Sequence, residues 1–355
     1  MIQAGGLRLI DFDQMKKKKY TIHDIAKKLN ITASTVSRAL NDHPRISEAT
    51  KKAVQKAALK LNYQPNNIAA ALRNGRSNII GIIVPTVDRN FFASIVRGIE
   101  EIANASKYHV MICQSYDNYE KEVATVEALL NARVDGIIAS YAKETRDFDH
   151  FLKVKEKGIP VILFDRSNDN LEVSQVVIDD FQGAYKATDH LIQQGCKRIA
   201  HFTTTLKISI FNERHRGYKE ALLAHGIPYD GSLVIESNLQ LEDGRSSMLK
   251  LLSLPQPPDG VFSASAHGIM GALQVLKEKG IKVPQEVALI GFTNEPFTSF
   301  SEPALSTVDQ HNLRMGNAAA EIFLEEIADE EKKFIPQKIV LKPELIIRQS
   351  SLRKK

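Results

Sequence analysis

TIHDIAKKLNITASTVSRALN, residues 21–41, carries the periodicity of two short helices joined by a tight turn. Ile22, Ile25, Ala26 and Leu29 recur at the spacing of one apolar helical face, and Thr21 stands where an N-cap belongs. Asn30 tolerates the left-handed conformation of a helix end. Thr32 then caps a second helix in which Val36, Ala39 and Leu40 face inward, leaving Ala33, Ser34, Ser37 and Arg38 on the other side. Short polar side chains at a helix N-terminus, with an arginine one turn on, suit entry into a DNA major groove. The same spacing also fits a solvated helical hairpin, and charge separates the two readings.

Residues 16–76 hold fourteen Lys and Arg against Asp24, Asp42 and Glu48, a net of +11, whereas the whole chain is +5. The remainder therefore totals −6. A basic amino-terminal sixth on a mildly acidic body is the footprint of a nucleic-acid-binding head, because neutralising phosphates releases counterions and supplies sequence-independent affinity. A third helix follows, capped by Ser47, with Val54, Ala57, Ala58 and Leu61 closing a small core and its surface lysines solvated or near phosphate. Residues 64–77, QPNNIAAALRNGRS, read as a linker in which Pro65 and Gly75 bracket a short helix too brief to be stable alone.

The pieces TIHDIAKKLNIT, STVSRALN, ISEATKKAV and LNYQPNNIAAALR, in this order, resemble the DNA-binding head and hinge of the LacI (lac repressor) family of bacterial transcription regulators. The resemblance continues through the body to about Arg348. It implies base and backbone contacts to DNA from Thr21, Thr32, Ala33, Ser34, Ser37, Arg38, Asn41, Tyr63, Asn66, Ala69, Leu72 and Arg73. It further implies that the linker orders as a hinge helix on specific DNA, pairs with its twin in a homodimer on a pseudo-palindromic operator, and wedges Leu72 into the minor groove. Met15 and the lysines after it sit where a family member would ordinarily begin, so residues 1–15 are expected to be a disordered extension. The expected domains are then a head at 16–63, a hinge at 64–77, an effector-binding and dimerisation body at 78–350, and a basic tail at 351–355.

From Asn78 onward, short β-rich runs alternate with helical patterns, which predicts parallel sheets with helices on both faces. The strands read as 79–84, 109–114, 136–140, 161–164, 176–178, 198–202, 260–263 and 287–291. Helices are expected near 92–106, 120–132, 148–157, 181–194, 213–225, 243–253, 268–279 and 312–328. That is too much for one sheet of ordinary size and suits two similar lobes. By the resemblance the body is α/β and like periplasmic sugar-binding proteins, its lobes joined by three crossings. Lobe one takes about 78–178 and 310–336, and lobe two takes about 179–309 and 337–350.

An apolar content of 43% with 25% charged residues is ordinary for a globular protein. Cys113 and Cys196 lie far apart with no CxxC, as reduced thiols in a cytoplasmic protein would. No apolar run approaches the ~20 residues that span a bilayer, and residues 1–14 lack the form of a secretory signal. No phosphate loop, GxSxG elbow, HExxH or calcium loop occurs, and the ten histidines are scattered rather than paired at metal-ligand spacing. The expectation is no enzyme, no cofactor and no metal.

Ligands of open α/β folds bind at the carboxyl ends of strands. Phe91 and Phe92 follow the first strand, Asp165 and Arg166 end the fourth, Arg214 lies in ERHRGY, and Gln310 is placed after the third crossing. The resemblance assigns these positions to the effector. It adds Ser265, with Ala266, where the family commonly has Asn-Asp, and Thr293 where it commonly has Asp. Loss of carboxylates that accept sugar hydroxyls weakens an ordinary neutral sugar as effector. A ligand-controlled regulator, repressing in the family's commoner mode, fits both ends of the chain. A regulator without small-molecule effector is the alternative. A solute-binding protein fits the body alone, and an enzyme fits neither part.

Overall fold

The computed structural model describes residues 20–63, 76–329 and 334–353. The chain divides into two compact units, Met1–Gly75 and Arg76–Lys355. The expected extension, and the hinge residues Asn66, Ala69, Leu72 and Arg73, lie outside the described residues.

In the first unit, α1 (Ile22–Leu29), α2 (Ala33–Leu40) and α3 (Glu48–Lys60) enclose a core of Ile25, Ala26, Val36, Ala39, Val54, Ala57 and Ala58. The Asp24 carboxylate takes the Thr21 amide at 2.7 Å and its hydroxyl at 2.9 Å, closing the first turn of α1. Asn30 is left-handed, with φ of 55°. Two expectations need correction. Ala33 is half-buried against the core rather than turned wholly away from it, because it lies in the first turn of α2, over the α1–α2 junction. Lys51 is not a solvated surface lysine. It is buried, with Asp42 at 2.6 Å and Glu48 at 2.9 Å raising its pKa.

The second unit holds two six-stranded sheets. In chain order its elements are β1 (Ile79–Val84), α4 (Asn90–Ala105), β2 (His109–Gln114), α5 (Tyr119–Asn131), β3 (Gly136–Ala139), α6 (Asp149–Glu156), β4 (Val161–Phe164), β5 (Ser174–Ile178), α7 (Asp180–Gln193), β6 (Ile199–Thr203), α8 (Ser209–Ala224), β7 (Val234–Glu236), α9 (Leu241–Leu252), β8 (Gly260–Ser263), α10 (Ala266–Glu278), β9 (Ala288–Phe292), α11 (Phe297–Phe300), β10 (Ser306–Asp309), α12 (Asn312–Ala328), β11 (Lys338–Leu341) and β12 (Glu344–Ile346). Sheet one runs β11-β5-β4-β3-β1-β2, all parallel, and sheet two runs β12-β10-β9-β8-β6-β7, with only β12 antiparallel. Their central strands are continuous apolar runs because helices cover both faces.

The chain passes between lobes at Asp179, at Gln310 and His311, and at Lys342 and Pro343. The expected third crossing near 337 is thus corrected: Lys338–Leu341 hydrogen bonds along β5 and extends sheet one, so these residues belong to lobe one. Gln310 sits at the second crossing and not after the third. Gly98 on α4 and Gly316 on α12 let those helices touch backbone to backbone. A methyl at Gly316 would lie 2.1 Å from the Ile95 carbonyl oxygen, and one at Gly98 2.3 Å from that of Leu313.

Candidate functional site

The sheets point the carboxyl ends of their parallel strands at a shared cleft of about 290 Å3. Lobe one supplies the turns after β1 (Thr86, Asp88, Arg89), β2 (Tyr116, Asp117), β3 (Lys143) and β4 (Asp165, Arg166). Lobe two supplies the turns after β7 (Asn238, Gln240), β8 (Ser265, His267) and β9 (Thr293, Glu295), with Phe211 and Arg214 from α8. Phe91, Phe92, Asp165, Arg166, Arg214, Ser265, Thr293 and Gln310 all line it, so the eight residues singled out from sequence come together.

Arg214 is the most fully engaged of them. It is buried, its Nε donates to Asp180 at 2.7 Å, Nη1 to the Ala264 carbonyl at 2.9 Å and Nη2 to Gln310 Oε1 at 3.3 Å. Its guanidinium lies 3.7 Å from the centre of the Phe292 ring. Gln310 in turn donates to the Thr293 hydroxyl at 2.8 Å. The chain reaching the second crossing is thereby tied to lobe two. Asp180 caps this network from the start of α7, and burial pushes its carboxyl up to about 7 even with the arginine alongside.

In lobe one, Arg166 gives Nη1 to Asp117 at 2.6 Å and to the Tyr141 carbonyl. Asp117 is half-buried and held below the usual carboxylate range: burial raises it, and the Arg166 guanidinium and Lys143 more than offset that. Asp165 is buried, accepts from the Ser140 hydroxyl at 3.4 Å, and is raised by loss of water. Phe91 and Phe92 meet edge to face at 4.9 Å and belong to the lobe-one core, so they offer the cleft little free surface. The resemblance made them stacking platforms; burial in the first turn of α4 leaves them mainly as wall.

Backbone strain gathers at the same place. Tyr116, Asp117, Asp165 and Thr293 line the cleft with φ of 55°, 58°, 63° and 80°. For β-branched Thr293 this is an outlier that surrounding structure must hold in place. Sequence reading missed Arg89, Asp117, Lys143, Asn238, Gln240, His267 and Glu295 as site residues. The signal available was position, since each lies within a few residues of a strand's carboxyl end.

In the head, Ser34 and Arg38 are exposed on α2, and Ser37 is half-buried. The Thr32 hydroxyl accepts from the Thr35 amide at 3.2 Å and lies 2.8 Å from the Ser34 hydroxyl, gathering polar oxygens at the positive end of the helix dipole. The Asn41 amide turns back to the Ser37 carbonyl at 3.0 Å, and Tyr63 packs beside the core. Among the described residues no cluster of side chains could hold a metal, and no helix is long and apolar enough to cross a membrane.

Residues 21–66 match the family described as "Bacterial regulatory proteins, lacI family", and residues 77–342 match "Periplasmic binding proteins and sugar binding domain of LacI family". The chain is 32% identical over 330 residues to the HTH-type transcriptional repressor PurR of Actinobacillus pleuropneumoniae serotype 3 (strain JL03), covering 93% of this chain and 98% of that one. A solved transcriptional regulator CelR–cellobiose complex is similar at a TM-score of 0.71 and 28% identity, covering 94% of this chain and 100% of the other. The lac repressor dimer bound to operator and the anti-inducer ONPF shares the fold at a TM-score of 0.84 and 22% identity, covering 95% and 100%.

Proposed function

Because this chain belongs to the LacI family of bacterial regulatory proteins, we propose that a small-molecule effector binds between its lobes and sets how tightly its head holds operator DNA. The observation that carries this reading is the cleft itself, where polar and charged side chains of both lobes face one volume. A ligand touching both sides favours one lobe angle over another by its difference in affinity for the two. In sequence, β1 follows directly on the hinge segment 64–77, so a change in lobe one is passed to the segment that must order on DNA. The domains are read as a head at 16–63, this hinge, and the body to 350.

The reading takes the protein as a repressor acting in the cytoplasm, without catalytic activity. It acts as a homodimer on a pseudo-palindrome, with Ala33, Ser34 and Arg38 toward base edges, Thr21, Thr32, Ser37, Asn41 and Tyr63 beside them, and Asn66, Ala69, Leu72 and Arg73 at the operator centre. The edge strand β2 leaves Met111 and Ile112 exposed, a surface a second copy could cover. The effector is read as a sugar or sugar derivative held by Phe91, Phe92, Asp165, Arg166, Arg214, Ser265, Thr293 and Gln310. Selecting binding sites for the full chain from random duplex DNA tests the first half. The expected outcome is one two-fold-related motif; a pool with no enriched motif would overturn it.

A further inference from the structure

Three cationic side chains of lobe one reach the cleft, and each leaves hydrogen-bonding capacity unused. Arg89, the N-cap residue of α4, is half-buried and lines the cleft, its guanidinium without a hydrogen bond or ion pair among the described residues. Lys143 has Asp117 only at 3.8 Å, and its ammonium stands 5.9 Å from the centre of the Phe211 ring in the opposite lobe. Arg166 is 4% exposed, yet its buried Nε has no hydrogen-bond partner, the Asp165 carboxylate being 4.0 Å away.

The local acids are already committed. Asp117 is shared between Arg166 and Lys143, Asp88 accepts the Thr86 hydroxyl at 2.6 Å, and Glu295 accepts the Phe91 amide at 3.2 Å. Asp165 and Glu295 are both raised by burial, which favours their neutral forms. Burial lowers the Lys143 ammonium most, Asp117 pulls it back up, and Arg166 and Arg89 add smaller lowering effects. Lobe two faces them with the uncharged Asn238, Gln240, Ser265 and Thr293, beside Arg214, which Asp180 pairs, and Glu295, which burial raises. A neutral ligand filling this space would take water from the Arg89 guanidinium and the Lys143 ammonium and return no charge.

We propose that the effector carries an anionic group, a carboxylate or a phosphate, seated among Arg89, Lys143 and Arg166, while its hydroxyls meet the neutral polar side chains of lobe two. This rests on the reading of the cleft as the effector site. The opposing lobe then closes over the uncharged end of the ligand, and the anion relieves the repulsion among the three cations.

The test titrates the full-length protein calorimetrically with matched sets: glucose, glucuronate and glucose 6-phosphate; galactose, galacturonate and galactose 6-phosphate; mannose, mannuronate and mannose 6-phosphate. At least one charged member should bind about tenfold or more tighter than its neutral parent, and the carboxylate and phosphate arms decide which anion is meant. Lys143→Gln and Arg89→Gln should each weaken the charged member far more than its neutral parent, removing most of that preference. Neutral and charged members binding alike, or variants that keep the full preference, would overturn the anion assignment and leave the cleft reading standing. No binding by any member at about 10 mM would overturn both.

Discussion

The backbone amide of Phe91 donates to the Glu295 carboxylate at 3.2 Å, a bond that runs across the cleft from the first turn of α4 to the turn after β9. It joins the lobes through the positive end of a helix dipole, and Glu295 is buried there at the expense of its charged form. Glu295→Ala leaves a buried N–H without a partner and should cost about 1 to 3 kcal/mol in urea unfolding of the body. Glu295→Gln keeps an acceptor and should lose about 1 kcal/mol or less. Equal losses would show that the bond does not hold the lobes.

Arg214 and Asp180 form a pair in which each leaves the other stranded if removed. Arg214→Ala should destabilise the body by about 1 to 3 kcal/mol, because Asp180, already raised to about 7 beside the arginine, must then take up a proton and lose its buried hydrogen-bond partner. Asp180→Asn should cost much less than this, since the amide still accepts from Nε. Thermal melts near pH 7 compare them directly, and a wild-type melting temperature for Arg214→Ala would refute the pairing. Loss of ligand response in Arg214→Ala alone is therefore ambiguous, and Asp165→Asn is the cleaner probe because Asn tolerates the left-handed backbone at that position.

His201 is fully buried, stacked 4.9 Å from both Tyr218 and Phe262, and held neutral with its pKa pushed down to about 3, chiefly by burial and then by His215. In the unfolded chain it titrates near its ordinary value of 6.5. Its contribution to stability is thus present above pH 6.5 and lost as pH falls toward 3, with a limiting slope of about 1.4 kcal/mol per pH unit. His201→Phe should flatten the stability profile across that window. An unchanged acid limb would show that other groups set it.

Gly316 is expected to reject any side chain. Gly316→Ala pushes a methyl into the Ile95 carbonyl and should force α4 and α12 apart at about 1 to 3 kcal/mol, read as a drop in urea midpoint. A neutral substitution would mean that the helices slide freely.

How much of this was legible in the sequence depended on which force sets each feature. The helices of the head and body carry their own periods and caps, and Thr21, Thr32 and Ser47 stand as N-caps where read. Short strands did not announce themselves: β10 reads STVD and β12 has three residues, and both become strands by pairing with neighbours far along the chain. The same holds for β11, whose attachment to β5 is set 163 residues away by contacts such as Ser174 with Gln337. Of the cleft, residues in motif-like strings such as DRNFF and ERHRGY were found. Lys143 and Asp117 were not, since their pairing depends on how β2 and β3 splay around β1.

For the head, Arg38→Ala should cost about 1 to 3 kcal/mol on the selected operator and relax preference at one base pair of each half-site. Lys18→Ala should weaken operator and random duplexes alike and reduce the salt slope by about 1. Fluorescence anisotropy on both duplexes over a range of salt distinguishes these. Identical profiles for the two variants would remove Arg38 from base reading.

The central claim is that occupancy of the cleft and grip on the operator are two ends of one equilibrium. With the tightest-binding member of the sugar panel, the measurement is operator affinity with and without ligand, and ligand affinity with and without operator, for wild type and Asp165→Asn. The expected result is one coupling factor, about fivefold or more, equal in both directions for wild type and collapsed toward one for Asp165→Asn. A ligand that fills the cleft of the wild-type protein while operator affinity stays unchanged would contradict the account.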